Sequence, residues 1–230
     1  MTYAVLLAGG IGSRVGANIP KQFIKINNKP LLVYCIEKFI LLNEFKKIIV
    51  SSPKEYISQT KEFIDEFLPN EDRIVIIEGG ETRQDTLLNS IHYIDKIKDC
   101  NNPIVVCHDA ARIFVSEKLI ENCIDYTRKY GSSSPVVSTI DVIVEMENKT
   151  VTRMPNRYNL VHVQTPQGFK LTEYKNLFEK LSDDEKSDVH EIIKVYYLNN
   201  KEVYIFNGEK SNFKITTPFD IELAEFILKE

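Results

Sequence analysis

The segment 4–22, AVLLAGGIGSRVGANIPKQ, places glycines and two cationic side chains directly after an apolar run. Glycine lets the backbone pass close to an anion, so successive amide N–H groups can converge on phosphate oxygens. The candidate residues for such a cradle are Gly9, Gly10 and Gly12. Arg14 offers a planar fork that matches two phosphate oxygens, and Lys21 offers a compact charge that can follow a phosphorus centre. The segment therefore predicts a site for a triphosphate.

Two common phosphate-binding loops are excluded by spacing. The dinucleotide pattern G-x-G-x-x-G fails because its third glycine position is Val15, and the ATPase pattern G-x-x-x-x-G-K-[ST] fails because Ala17 follows Gly16. Neither a standard dehydrogenase nor a P-loop NTPase fits. An ordinary strand-to-helix turn, which needs glycine only for its geometry, is the alternative, and the two cations count against it.

A second glycine pair opens the segment GGETRQDT, residues 79–86, which follows the apolar run IVIIE. Its glycines and the Thr86 hydroxyl are placed to meet a base or a ribose. The alternative is that Asp85 only caps the helix that begins there, a frequent use of aspartate. Both roles can exist in one turn.

The segment CHDAAR, residues 107–112, ends another apolar run with a carboxylate and an arginine. Asp109 is the metal candidate, because Mg²⁺ needs only one or two carboxylates where a triphosphate supplies further oxygens. His108 is better explained as a hydrogen-bonded structural residue than as a catalyst. Alternatively, Asp109 and Arg112 form only a structural ion pair.

Lys214 lies in a late segment, NFKITTPFD, before a predicted helix over Asp220–Lys229. It is a candidate second phosphate lysine. The alternative is local capping chemistry, since Thr217-Pro218 is an ordinary helix start.

Apolar runs and amphipathic stretches alternate along the first half of the chain, which predicts βαβ units and a mostly parallel sheet. The runs VLLA, IIV, IVII and IVVC lack in/out alternation, so we expect central strands covered by helices on both faces. The predicted fold is α/β, a three-layer αβα arrangement with a Rossmann-like sheet. Ligands of such sheets bind at the carboxyl ends of the strands, where the polar segments above fall. The predicted elements are Ala4–Leu7, Leu31–Leu42, Lys47–Ser51, Tyr56–Phe67, Ile74–Ile77, Asp85–Lys98 and Ile104–Cys107.

The pattern changes between residues 136 and 165, where short β-rich pieces alternate with charged turns. The pieces are Val136–Ser138, Val142–Met146 and Leu160–Val163. A few strands cannot bury an apolar face alone, so we expect this arm, residues 136–165, to pack on a second subunit of a homodimer. An ordinary edge hairpin on its own domain is the alternative.

Composition narrows the class of protein further. The 230 residues fit a single domain, 1–230, with no low-complexity divider. A net charge of −4 and a pI near 5.7 argue against a nucleic-acid partner. Cys35, Cys100, Cys107 and Cys123 show no C-x-x-C spacing, and no secretory signal or membrane-spanning run is present. A cytoplasmic protein without a membrane partner is expected.

Five motifs together resemble the sugar/alditol-phosphate cytidylyltransferases. In chain order they are LAGG-x-G-x-R…PKQ, GG-x-x-R-x-x-T, HDAAR, QTPQ-x-F and N-x-KIT-x-P-x-D-x-x-x-AE, and they cover nearly the whole chain. The resemblance implies transfer of CMP from CTP to a sugar-alcohol phosphate with Mg²⁺, and a homodimer that exchanges its arms. The family includes a methylerythritol-phosphate enzyme of isoprenoid synthesis and a ribitol-5-phosphate enzyme that makes CDP-ribitol for teichoic acids of the cell wall.

The resemblance also implies roles for individual residues. Arg14, Lys21 and Lys214 match the catalytic residues that hold the CTP phosphates, and Asp109 matches the Mg²⁺-associated aspartate. The implied nucleotide-binding residues are Leu7, Ala8, Gly9, Gly10, Gly12, Gly80, Arg83, Thr86, Asp109, Ala110 and Arg112. The implied acceptor-binding residues are Arg157, which grips the acceptor phosphate, Thr165, which lies next to that site, and the pair Ser187 and Asp188, whose hydroxyl reaches the acceptor in the partner subunit's site.

Departures from the family pattern concern the acceptor. Ile113 replaces the usual proline after HDAAR, and Val189-His190 replaces the usual small and acidic residues. Three segments resemble the ribitol-phosphate branch more closely: MPNR at 154–157, IDVIV at 140–144 and LSDDEKSD at 181–188. D-ribitol 5-phosphate is therefore the expected acceptor, and 2-C-methyl-D-erythritol 4-phosphate is the alternative. A non-catalytic nucleotide-sugar binding module is the alternative from another class.

Overall fold

The structure is a computed structural model and describes residues 1–9, 19–97 and 100–229. Its strands are β1 (Thr2–Leu7), β2 (Lys25–Ile26), β3 (Lys29–Pro30), β4 (Phe45–Ser52), β5 (Ile74–Glu78), β6 (Ile104–Asp109), β7 (Ser132–Ser138), β8 (Glu145–Glu147), β9 (Thr150–Arg153), β10 (Val161–Val163), β11 (Gln167–Lys170) and β12 (Tyr204–Asn207). Its helices are α1 (Leu31–Ile40), α2 (Ile57–Phe67), α3 (Arg83–Ile97), α4 (Glu117–Tyr130), α5 (Leu171–Glu179), α6 (Asp183–Ser187), α7 (Ile192–Leu198) and α8 (Pro218–Ile227). Short 3₁₀ helices span Lys21–Phe23, Lys54–Tyr56 and Arg157–Asn159.

The main sheet has the order β12-β7-β11-β6-β1-β4-β5, and β10 continues the pairing along β7 beyond β11. The neighbours β6-β1, β1-β4, β4-β5 and β7-β12 are parallel. Strand β11 is antiparallel to β6 and β7, and β10 is antiparallel to β7. The predicted mostly parallel sheet is confirmed.

Helices cover both faces of this sheet, as the sequence predicts. In β1, Ala4 and Leu6 pack into one buried cluster with α1, α2, α4 and α8. Tyr3 and Val5 point to the opposite face and pack with α3, α5 and α7. Successive strand residues alternate between faces, so a continuous apolar run buries both. The three-layer αβα fold is therefore confirmed.

The expectation that the IVII run forms a central strand is wrong. This run lies in β5, the edge strand, which pairs only with β4 among the described residues. Residues 74–77 are accordingly half-buried rather than buried. Helices α2 and α3 still contact β5, one on each face, and this coverage accounts for the missing in/out alternation.

The arm divides into two parts. Residues 136–138 of β7 pair with β10 and so belong to the main sheet. Strands β8 and β9 form a separate exposed hairpin, whose turn has Asn148 at φ 49° and Lys149 at φ 64°. The strand expected over Val142–Met146 begins only at Glu145.

Within the described ranges, every helix is too short or too polar to span a bilayer. The four cysteines are free thiols.

Candidate functional site

The carboxyl ends of β1 and β6 lie side by side. Leu7, the last residue of β1, pairs in register with Asp109, the last residue of β6. The Ala110 N–H donates to the Leu7 carbonyl at 3.2 Å, and the Ala8 N–H donates to the Ser51 carbonyl at 3.0 Å. The structure thus brings Leu7, Ala8, Asp109 and Ala110 together, as expected for strand ends of a parallel sheet.

Asp109 is a buried carboxylate surrounded by cations. Its Oδ2 lies 2.8 Å from Lys214 Nζ and 3.7 Å from Arg112 Nε. Its Oδ1 lies 3.3 Å from Arg83 Nε. Three predicted site residues therefore surround the predicted metal residue: Arg112 from the same segment, and Arg83 and Lys214 from distant parts of the chain.

The charged residues of this cluster set one another's protonation states. Burial alone would raise the pKa of Asp109, but Arg83, Lys214 and Arg112 outweigh burial and hold the pKa well below its usual range. Burial likewise opposes the charge of Arg83, but the neighbouring acidic groups, Asp109 first and Glu191 with it, together outweigh burial and raise the pKa of the guanidinium. The carboxylate is therefore ionised at neutral pH, and the cluster as a whole is positive, which suits a polyanion.

Lys21 reaches the same region from the 3₁₀ helix that follows β1. Its Nζ donates to the Ile215 carbonyl at 3.1 Å, one residue after Lys214. The Ile215 N–H in turn donates to the Ala111 carbonyl at 2.9 Å. The two predicted phosphate lysines are thus held on adjoining segments, whereas Gly10, Gly12 and Arg14 lie outside the described residues.

The second glycine pair packs tightly against the start of α3. A Cβ on Gly80 would lie 2.2 Å from the Asp85 Cβ, and a Cβ on Gly9 would lie 2.8 Å from the Thr86 Oγ1. Both positions therefore require glycine for close approach. This contact joins the end of β1 to the turn after β5.

Asp85 and Thr86 hold that turn. The Asp85 carboxylate accepts from the Thr82 N–H at 3.1 Å, and the Thr82 hydroxyl accepts from the Asp85 N–H at 3.0 Å, a reciprocal cap at the start of α3. The Thr86 hydroxyl donates to the Thr82 carbonyl at 2.8 Å and accepts from the Gly80 N–H at 3.0 Å. The capping alternative for Asp85 is confirmed, and the Thr86 hydroxyl is engaged within the turn.

Thr165, which the resemblance places next to the acceptor site, is held against the backbone of Asp109. Its side chain is buried; the hydroxyl accepts from the Asp109 N–H at 3.1 Å and lies 3.0 Å from His108 Nδ1. His108 Nε2 lies 3.0 Å from the Arg112 carbonyl, so it carries the proton and donates there, while Nδ1 accepts from Thr165. Thr165 thus orients the Asp109 backbone from inside the protein.

His108 is the structural histidine that the sequence favours. It is fully buried, and burial lowers its pKa to about 4 from 6.5. The folded state therefore binds fewer protons than the unfolded state between these values. The stability that neutral His108 contributes is complete above pH 6.5 and is lost as the pH falls towards 4.

We expect His108 alone to lower the free energy of unfolding by about 3 kcal/mol between pH 6.5 and pH 4. Urea unfolding of the wild type and of His108→Gln across this range measures the contribution, since glutamine does not titrate. The wild-type curve should fall more steeply than that of the variant. Parallel curves would contradict the assignment.

The other predicted acceptor residues lie outside the Asp109 cluster. Arg157 is exposed on the arm, with its guanidinium 5.3 Å from the Tyr158 ring centroid. Ser187 is exposed at the end of α6, where its hydroxyl donates to the Asp184 carbonyl at 2.7 Å. Asp188 forms an ion pair with Lys194. Among the described residues, none of the three forms a hydrogen bond or ion pair with Asp109.

Three residues of the site carry contacts that the sequence did not assign. Gln22 is buried and its amide donates to the Ala8 carbonyl, which ties the Lys21 segment to β1. Asn212 is buried and its amide donates to the Thr165 carbonyl at 2.7 Å. Glu191 lies 3.5 Å from Arg83. Gln22 and Asn212 belong to the motifs that identified Lys21 and Lys214, so the same motifs could have identified them as site residues.

The donor set fits a cation held jointly by protein and phosphate. Among residues 1–9, 19–97 and 100–229, no group of three or more His, Cys, Asp or Glu side chains could hold a metal. Asp109 supplies one ionised carboxylate, and Mg²⁺ accepts one or two carboxylates with phosphate oxygens and waters as its other ligands. Asp109 could therefore hold Mg²⁺ only together with a bound phosphate.

The Rossmann-like sheet and the cationic cluster at its strand ends define an α/β enzyme of the nucleotidyltransferase class. The family model described as "IspD: 2-C-methyl-D-erythritol 4-phosphate cytidylyltransferase" matches residues 2–230. The chain belongs to this family, which confirms the resemblance drawn from its motifs. The chain is therefore a CTP-dependent cytidylyltransferase that acts on a sugar-alcohol phosphate. A non-catalytic binding module is therefore not supported.

Solved structures agree with this assignment. The 2-C-methyl-D-erythritol 4-phosphate cytidylyltransferase from Francisella tularensis is 28% identical with a TM-score of 0.81, and the alignment covers 98% of both chains. The enzyme of the same name from Thermus thermophilus is 25% identical with a TM-score of 0.77 over 100% of both chains. A 4-diphosphocytidyl-2C-methyl-D-erythritol synthase from Anaerococcus prevotii has a TM-score of 0.83 at 21% identity, covers 100% of this chain and 99% of its own, and supports the fold.

Proposed function

We propose that the chain transfers CMP from CTP to 2-C-methyl-D-erythritol 4-phosphate, with release of pyrophosphate. The family model and the two similar structures at 25% and 28% identity carry the name of this reaction. The expected preference for D-ribitol 5-phosphate is not confirmed by these comparisons, which favour the alternative. The observation that carries the chemistry is the buried carboxylate of Asp109 with Lys214 at 2.8 Å and Lys21 on the adjoining segment.

The reaction needs cations rather than a general base. The attacking acceptor phosphate is already an anion, and it displaces pyrophosphate from the α-phosphorus of CTP. Two polyanions must approach each other, so catalysis depends on positioning and on charge stabilisation. Lys21 and Lys214, with Arg14 of the sequence segment 4–22, supply that charge in this proposal. His108 and the buried cysteines play no part in proton transfer.

Enzymes of this family generally use a divalent metal. We place Mg²⁺ on Asp109, whose low pKa keeps it ionised in the presence of three cations. When bound, the metal neutralises phosphate charge and orients the oxygens around it. Arg83 and Arg112 then hold the carboxylate in place from the protein side.

Product identification tests the acceptor. The protein is incubated with CTP, Mg²⁺ and either 2-C-methyl-D-erythritol 4-phosphate or D-ribitol 5-phosphate, and the CDP-linked product is detected by mass. The proposal predicts a higher kcat/KM for the methylerythritol substrate. A clear preference for ribitol 5-phosphate would replace the proposed acceptor, and failure of CTP with both would contradict the proposal.

Ribitol 5-phosphate remains the second candidate because particular segments favour it. Those segments are MPNR at 154–157, IDVIV at 140–144 and LSDDEKSD at 181–188. The first two lie in the arm, and the third includes α6 with its Ser182 cap. A role in teichoic acid or cell wall synthesis depends on this candidate alone.

We also propose that residues 1–230 form one nucleotidyltransferase domain and that the arm, residues 136–165, joins two copies in a homodimer. The arm exposes several apolar side chains that a monomer leaves in water: Ile140, Val142, Met146, Val151, Met154 and Tyr158. Exposed apolar side chains grouped in this way are typical of an interface. In the dimer, Arg157 of one subunit would reach the acceptor phosphate in the site of the other.

Arg157→Ala is expected to raise the KM for the acceptor by about tenfold or more and to leave the KM for CTP nearly unchanged, because a charge-assisted contact to one phosphate is lost. Steady-state kinetics with each substrate varied in turn measures both constants. Arg128→Ala, at an exposed arginine of α4, is the control and should change neither. Equal damage to both substrates would remove Arg157 from acceptor binding.

A further inference from the structure

The segment 187–191 between α6 and α7 is connected to Asp109 through one side chain. Arg83 Nε lies 3.3 Å from Asp109 Oδ1, and Arg83 Nη1 donates to the His190 carbonyl at 3.2 Å. One planar guanidinium therefore contacts both the cluster at the strand ends and the backbone of this segment. Because its donors are rigidly spaced, displacement of the segment relative to Asp109 would break one contact or the other.

Glu191 completes this connection from the other side. Its Oε2 is buried and lies 3.5 Å from Arg83 Nη2, which is also buried, and among the described residues neither atom forms a hydrogen bond. Glu191 immediately precedes α7, yet its side chain makes no capping hydrogen bond to that helix. Its carboxylate instead approaches the guanidinium, so Arg83 lies between two carboxylates, Asp109 and Glu191.

The contact of Arg83 with the segment 187–191 matters because this segment contains two predicted acceptor-binding residues. Ser187 and Asp188 are the residues expected to meet the acceptor, and both are exposed at the surface. The contact of Asp188 with Lys194 ties the segment to its own helix α7. Arg83 ties it to Asp109, so the position of the segment relative to the end of β6 depends on this second contact.

We propose that Glu191 is a positioning residue for the acceptor: with Arg83 it fixes the segment 187–191 relative to Asp109, and so sets the position from which Ser187 and Asp188 meet the sugar-alcohol phosphate. This inference rests on the proposed function, because the role given to Ser187 and Asp188 requires that a sugar-alcohol phosphate is the acceptor. Glu191 touches neither substrate. It acts through Arg83, which keeps its own contact with Asp109 when Glu191 is replaced, so the effect on acceptor binding should exceed the effect on CTP binding.

Glu191→Gln tests the proposal, because glutamine keeps the size of the side chain and removes its charge. The KM for the acceptor should rise about three- to fivefold, as expected for loss of one partly screened ion pair, while the KM for CTP stays within about twofold. Glu179→Gln, at an exposed glutamate near the end of α5, makes the same charge change and should alter neither constant. An equal rise in both constants, or no rise in either, would overturn the proposal.

Hydrogen exchange without substrates provides a readout that is independent of the reaction. Backbone amides of residues 188–190 should exchange faster in Glu191→Gln than in the wild type or in Glu179→Gln, while those of β6 stay unchanged. Unchanged exchange at 188–190 would overturn the inference about Glu191. If the wild type converts neither acceptor, the proposed function fails, and the exchange data still decide whether Glu191 fixes the segment.

Discussion

Asp109→Asn is expected to lower kcat by about 10³-fold, the largest single effect in the protein, because the site loses the carboxylate assigned to the metal and the partner of its cations. The variant should also be less stable. Arg83, Arg112 and Lys214 would surround a neutral amide, and breaking a buried ion pair costs about 3–5 kcal/mol. We expect the lower end of this range, since about a third of the Lys214 side chain is exposed.

The pH dependence of the free energy of unfolding separates the contribution of the Asp109 charge from that of the shape of its side chain. The folded-state pKa lies below the value of 3.8 that is usual for aspartate, so the carboxylate contributes its stability above pH 3.8 and loses it as the pH falls further. Urea unfolding of both proteins should show the full difference at neutral pH and a smaller one in acid. Asp125→Asn, at an exposed aspartate of α4, is the control. A fully active Asp109→Asn enzyme would contradict the site.

Lys21→Ala is expected to lower kcat by about 10²–10³-fold and to weaken CTP binding much less, because a preorganised cation stabilises charge that grows only in the transition state. The position of Lys21 supports this expectation. Its ammonium group donates to the carbonyl of Ile215, the residue after Lys214, and Lys214 in turn contacts Asp109. Steady-state rates and direct CTP titration measure the two effects separately.

A matched control for this variant is Lys61→Ala, at an exposed lysine of α2. It makes the same change away from the strand ends and should keep wild-type kinetics. Retention of near-full kcat by Lys21→Ala would remove Lys21 from the mechanism. A loss confined to CTP affinity would make it a binding residue only.

Much of the fold follows from the order of apolar runs and amphipathic stretches. Strands β1, β4 and β6 and helices α1, α2 and α3 lie close to their predicted positions, because burial on both faces leaves a continuous apolar signal. The position of β5 at the edge could not be predicted from that signal. Helices on both faces produce the same run whether a strand has one neighbour or two.

The sequence also predicted which of the site residues lie close together, but only in part. Asp109 follows β6 and Lys21 follows β1, and parallel strands bring such positions to one edge of the sheet. The contact of Lys214 with Asp109 depended on the motif, since the two residues lie far apart in sequence and no periodicity relates them. The residues that connect these groups are harder to find: the Thr165 hydroxyl turns inward to His108, and Glu191 turns towards Arg83.

Such contacts are not encoded locally. Thr165, Asn212 and Glu191 act through partners that lie far away in sequence, and a single polar residue in a loop has many partners open to it. Only the folded geometry selects one of them. Sequence therefore identified Asp109 and the cations around it, whereas the structure identified the residues that hold them in place.

A crystal structure of the protein with CTP tests the central claim most directly. The account predicts the triphosphate at the carboxyl ends of β1 and β6, with Lys21 Nζ and Lys214 Nζ within hydrogen-bond distance of phosphate oxygens and the Asp109 carboxylate facing the α-phosphate. CTP bound at another part of the protein, or bound there with both lysines turned away from its phosphates, would contradict it.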